Sequence, residues 1–166
     1  MQQTPETPEF SAIWIRVRSL LVFGAVTALA ALLGSVATTG SVNSEWFRSL
    51  EKPSFYPPDE WFGIVWAGLY IIIAIAGWLA WGNGGGLRTL VPWTTQILLN
   101  LGWSVVFFGA RQPGWALVVV IALGVTAIWT SVAMARFSRW AAILFIPYIL
   151  WIGFATVLNA AIVSLG

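Results

Sequence analysis

Residues 17–39 read VRSLLVFGAVTALAALLGSVATT, a run with no charged side chain after Arg18. Its length meets the roughly 20 residues an α-helix needs to cross the hydrocarbon core of a bilayer. Outward from this stretch the same pattern recurs at 61–81, 89–109, 114–135 and 139–165. Composition agrees, because 59% of the 166 residues are hydrophobic and 8% are charged, against roughly 25% charged in a soluble domain. The expected fold is an all-α membrane protein, a bundle of five transmembrane helices in multi-pass topology. Residues 1–13, with Pro5, Glu6, Pro8 and Glu9, read as a disordered polar tail, and 14–166 as one membrane domain. The start does not read as a cleavable signal, since Arg16 and Arg18 precede a run long enough to span.

Several functions are excluded at this level. The net charge of +2 is too small and too scattered for nucleic acid, which asks for basic residues gathered on one face. Cysteine and histidine are absent, which removes disulfides, Cys/His metal sites, and haem ligation or catalysis through thiolate or imidazole. No cofactor is expected. The spans carry no ionisable residue away from their ends, so a proton-coupled pump is not supported.

The connections at 82–86, 110–113 and 136–138 are short and make their flanking helices antiparallel neighbours. The first connection, 40–60, is long. It holds Glu45, Glu51, Asp59 and Glu60 with Arg48, Lys52, Trp46, Phe47, Phe55, Tyr56 and three prolines, and so should fold back over the helix ends as a lid. Arg16, Arg18, Arg88, Arg136 and Arg139 fall on the amino-terminal side of the membrane and Arg48, Lys52 and Arg111 on the other. By the excess of basic residues the amino terminus faces the cytoplasm.

Twelve tryptophans are present. An interfacial aromatic belt accounts for Trp14, Trp46, Trp61, Trp78, Trp81, Trp93, Trp115 and Trp140, all near span ends. Trp66, Trp103, Trp129 and Trp151 remain, and either fill space between helices or line a pocket. On the third span Gln96, Asn100, Trp103, Ser104 and Phe107 recur at helical spacing, so an amide, a hydroxyl and two rings share a face. Asn100 must bond to a neighbouring helix or to a ligand. On the fifth span Tyr148, Trp151, Ala155 and Leu158 form one stripe, and Pro147 should bend the helix beside them. Trp66 and Tyr70 lie one turn apart. Thr27, Ala31, Ser35 and Thr39, with Ala30, Gly34 and Thr38, form small-residue stripes that read as helix contact, within the bundle or across a dimer.

The residues are similar to those of the TspO/MBR family of tryptophan-rich sensory or translocator proteins, also known as peripheral benzodiazepine receptors. The resemblance rests on 46–58 (WFRSLEKPSFYPP) with Trp61 and 65–70 (VWAGLY). It continues through Gln96, Leu99, Asn100, Trp103, 107–112 (FFGARQ) and 114–117 (GWAL), then Pro147, Tyr148, Trp151, Phe154, Ala155, Leu158 and Asn159. It implies a five-helix bundle, usually a homodimer in the bilayer, that binds protoporphyrin-like tetrapyrroles and isoquinoline or benzodiazepine-type ligands beneath the first loop. The expected ligand is thus a porphyrin or another flat hydrophobic small molecule, and the expected location a bacterial membrane. The candidate lining set is Phe47, Pro57, Trp66, Tyr70, Asn100, Trp103, Ser104, Phe107, Trp115, Trp151, Ala155 and Leu158. In some bacterial relatives two tryptophans matching Trp66 and Trp151 are ascribed a role in light-dependent porphyrin breakdown, so a degradative enzyme and a facilitated tetrapyrrole carrier stand as alternatives to a receptor. The chain departs from the family at Phe55, where Trp is common, at Val119, where animal members have an acid, and after Asn159, where the Tyr and Arg of the animal cholesterol-recognition motif are missing.

Overall fold

The computed structural model describes residues 8–166, with side chains from Ile13 onward. Helix α1 (Pro8–Val42) is followed by the short α2 (Glu45–Ser49), then α3 (Asp59–Gly82), α4 (Gly86–Ser104), α5 (Pro113–Ala135), α6 (Arg139–Leu144) and α7 (Ile146–Leu165). No strand occurs among the described residues. Among the described residues, five segments are long and apolar enough to cross a membrane: Ile13–Val42, Asp59–Gly82, Gly86–Gly109, Pro113–Ala135 and Arg139–Leu165. Since α1 begins at Pro8, the last part of the segment expected to be an irregular tail is helix. Residues 1–7, the rest of that expectation, lie outside the described residues.

Two proline effects shape the spans. Pro147 has no N–H to give to the carbonyl four residues back, and the fifth span breaks at Phe145 into α6 and α7. This is the bend expected from the sequence. Pro113 instead sits at the start of α5, where a missing N–H costs nothing.

The bundle closes as a ring in which α1 packs on α3, α3 on α6 and α7, these on α5, α5 on α4, and α4 back on α1. The two ends of the ring differ in packing. At the amino-terminal end of α1 the core is solid, with Ala76, Ala80, Met134, Ala141 and Phe145 fully buried. Phe23 meets Trp93 edge to face at 4.7 Å, and the Trp93 indole donates to the Ile73 carbonyl at 3.0 Å. Gly77 permits this approach, because a Cβ there would stand 2.7 Å from Phe23 Cδ1 and from Trp93 Nε1. Gly84, at φ +88°, supplies the left-handed residue that turns α3 into α4. At the opposite end the helices are lined by larger rings and leave a hollow.

Candidate functional site

The hollow is a cavity of about 430 Å³, within the range of small-molecule sites. Ala31, Gly34, Ser35, Thr38, Thr39 and Val42 of α1 form one wall, and Phe62, Gly63, Trp66, Ala67 and Tyr70 of α3 the next. The far wall is Asn100, Trp103, Ser104, Phe107 and Phe108, with Ala155, Leu158, Asn159 and Ile162 of α7. Phe47 and Tyr56 close it from the first connection, beside Asp59 at the head of α3. Helix α5 contributes nothing to the lining.

The third span supplies three rings to the lining, Trp103 from α4 and Phe107 and Phe108 from a local widening after it. After Ser104 the helix opens into a π-helical turn over Val105–Gly109, in which the Ala110 amide bonds to the Val105 carbonyl at 2.8 Å. Phe107 and Phe108, both in this turn, line the hollow. Trp103 lies 5.6 Å from the Phe107 ring and 5.9 Å from that of Phe108. Ser41 fastens the end of α1 here, its hydroxyl donating to the Phe108 carbonyl at 2.7 Å.

The lid is held by short-range bonds and two cations. Ser44 caps α2 by accepting from the Phe47 amide at 3.2 Å, and Phe47 is buried. The Lys52 ammonium stands 4.3 Å from the Phe47 ring centre and 5.3 Å from that of Tyr56, which ties α2 to the segment after it. Arg111, at φ +57°, places its guanidinium 5.8 Å from the Trp46 ring. Tyr56 donates to Asp59 Oδ1 at 2.7 Å. Burial, then the bond to and charge of Asp59, raise the Tyr56 phenol above its ordinary value, so it stays a donor at any physiological pH.

Hydrogen bonding in the wall is directed inward. Trp103 Nε1 donates to Asn159 Oδ1 at 3.1 Å, and Asn159 Nδ2 to the Pro113 carbonyl at 2.9 Å. Tyr70 donates to Asn100 Oδ1 at 2.8 Å, Asn100 Nδ2 to the Tyr148 hydroxyl at 3.4 Å, and Tyr148 to Gln96 Oε1 at 2.7 Å. The Ser104 hydroxyl turns back to the Asn100 carbonyl. What faces the cavity is therefore aromatic surface and a few acceptor lone pairs, a lining suited to holding a planar molecule. No set of three or more metal-binding side chains occurs among the described residues.

Of the residues singled out in the sequence, Phe47, Trp66, Tyr70, Asn100, Trp103, Ser104, Phe107, Ala155 and Leu158 are brought together around the cavity. Pro57, Trp115 and Trp151 are not. Trp115 is 69% exposed at the head of α5, the one span outside the lining, and belongs to the interfacial belt. Trp151 occupies the α3-facing edge of α7, where its ring meets Phe62 at 5.9 Å and Phe154 at 5.4 Å, so that Phe62 takes the place at the lining. Its indole N–H is buried without a partner. Pro57 follows Tyr56, and it is the Tyr56 ring that reaches inward. Trp129, read as one of four deep tryptophans, is 53% exposed and points away from the bundle. Helix α1, whose small residues read in the sequence as helix contact, also supplies a full wall of the cavity. Gly34 was the available signal: a Cβ there would meet Ser104 Oγ at 3.7 Å and Tyr70 Oη at 3.8 Å, so its missing side chain faces the cavity floor.

The sequence profile of the TspO/MBR family matches residues 22–165. The chain belongs to the TspO/MBR family. It is 40% identical to the human translocator protein over 139 residues, covering 79% of this chain and 82% of that protein. It is 42% identical to the tryptophan-rich protein TspO of Archaeoglobus fulgidus over 131 residues, covering 78% and 84%, and 35% identical to the tryptophan-rich sensory protein of Cereibacter sphaeroides over 136 residues, covering 81% and 85%. All the cavity-lining residues lie within the span matched by the TspO/MBR profile.

Proposed function

We propose that this TspO/MBR protein is a membrane receptor for a flat, largely apolar ligand of the porphyrin or the isoquinoline and benzodiazepine type, held between the rings of Trp66, Trp103, Phe107, Phe108 and Phe47. The observation that carries the reading is the cavity itself, about 430 Å³, walled by aromatic rings, with the polar groups of Trp103 and Tyr70 spent on partners inside the protein. The Trp66 indole lines it, 5.6 Å from the Tyr70 ring and 6.4 Å from that of Tyr148. A planar π-system gains area burial and ring contacts there at little cost in desolvated polar groups. The excess of basic residues at the solid end of the bundle supports a topology with the cavity and lid on the non-cytoplasmic side.

Protoporphyrin IX added to the protein in lipid nanodiscs should quench tryptophan fluorescence saturably, and Trp66→Ala should weaken the interaction by about tenfold, the usual effect of removing a large ring contact. Quenching that never saturates and ignores Trp66→Ala overturns the receptor reading. The same samples kept under light and oxygen separate binding from breakdown, since new absorbing products that require Trp66 and Trp151 would make the protein an enzyme.

A further inference from the structure

The cavity wall is not equally closed on all sides. Every lining residue of α7 is buried, as are those of the third span apart from the half-buried Phe108. By contrast Ser35 and Thr39 of α1, and Asp59, Gly63 and Ala67 of α3, line the cavity and are exposed on the outer surface as well. All five belong to the two helices that flank one seam. A Cβ added at Gly63 would meet nothing within 4 Å, which marks open space at the edge of that seam. Ser35 and Thr39 are one helical turn apart, as are Gly63 and Ala67, so the exposed positions run along the seam instead of across it.

The end facing water is built the other way. Phe47 covers it at 3% exposure, Tyr56 lies beside it, and Lys52 bridges the two rings. Ser41 ties the adjoining end of α1 to the Phe108 carbonyl. The seam, however, lies within Ile13–Val42 and Asp59–Gly82, segments apolar enough to sit in the bilayer. Part of its polarity is already spent, since Ser35 donates to the Leu32 carbonyl at 2.8 Å and the neighbouring Thr38 to that of Gly34 at 2.9 Å.

From these observations we infer that the ligand reaches and leaves the cavity sideways, from the lipid, through the slit between α1 and α3, while the lid stays shut. The inference rests on the receptor reading and narrows it: the protein samples the concentration of ligand dissolved in the membrane, and its ligands are molecules that partition into lipid.

The chain has no cysteine, so a Thr39→Cys, Gly63→Cys pair can be joined by a short thiol crosslinker that a reductant cleaves. Stopped-flow quenching by protoporphyrin IX in nanodiscs then reads both rates. Closing the slit should slow association and release alike by about tenfold or more, and the reductant should restore both. Slower release is the telling sign, because a merely damaged site lets its ligand go faster. Ala67→Phe, which puts a ring in the slit without chemistry, should slow both rates in the same sense. Lys52→Ala, which frees the lid, should leave them within about twofold. Unchanged rates after crosslinking and in Ala67→Phe overturn lateral access, as does acceleration of both rates by Lys52→Ala. Either result leaves saturable binding intact, whereas unsaturable quenching by the parent protein removes the receptor reading on which the inference stands.

Discussion

Tyr70 of α3 donates its phenolic proton to Oδ1 of Asn100 at 2.8 Å, and this bond opens a polar chain that runs from the cavity floor into the bundle. It continues through Tyr148 to Gln96, whose Nε2 is buried with no partner. Removing the Tyr148 hydroxyl strands the Gln96 carbonyl as well, so Tyr148→Phe should cost about 1–2 kcal/mol, the range for a buried polar group left unpaired. Adding Gln96→Leu removes both stranded Gln96 atoms and leaves the long bond from Asn100 Nδ2 as the one lost, so the double variant should recover part of that loss. Thermal unfolding in detergent measures both, and additive losses would show that the two residues act independently.

Gly34 provides a graded test of the floor. A methyl there reaches only ordinary contact with Ser104 and Tyr70 and removes a helix glycine, so Gly34→Ala should fold and gain up to about 1 kcal/mol. Gly34→Leu should fill the hollow and weaken protoporphyrin binding by about tenfold or more. Equal affinity in the parent and Gly34→Leu would place the ligand elsewhere.

At the solid end the response to added volume should be the reverse. A Cβ at Gly77 collides with ring atoms of Phe23 and Trp93, neither of which can swing aside in a packed core, so Gly77→Ala should lose about 1–3 kcal/mol of stability. Protoporphyrin affinity, measured below the melting transition, should hardly change, because the collision lies outside the cavity lining.

Asp59 is the single charged residue among those lining the cavity, and it is exposed at the rim. A ligand with carboxylates meets repulsion there that its ester does not. The dimethyl ester of protoporphyrin should therefore bind better than the diacid, and Asp59→Asn should narrow the gap by about two- to fivefold, as expected for a solvent-screened charge. The difference should shrink further in high salt. An unaltered ester preference in Asp59→Asn would show that the carboxylates point away from the rim.

Much of this architecture was legible in the chain. Length and hydropathy mark five spans, Pro147 marks the break at Phe145, and the spacing of Gln96, Asn100, Trp103, Ser104 and Phe107 marks one face, all of it buried. What periodicity could not give was the direction of an isolated ring. Trp129 and Trp103 are both mid-span, yet one faces outward and the other the cavity, because in lipid an outward indole carries no penalty to betray it. The π-helical turn was equally silent, since no residue in VVFFG demands the wider winding found there. The α1 wall escaped because small residues that let helices touch and small residues that leave room look alike in sequence.

Helix α5 touches α4 and α7 but supplies none of the lining, while Ile121, Val125, Ile128 and Val132 look outward along its length. That separation makes the fourth span a natural mounting post. A fluorophore tethered at Val125 would sit on a helix packed against two of the lining helices without standing in the ligand's way, and could report occupancy from outside the pocket in living membranes.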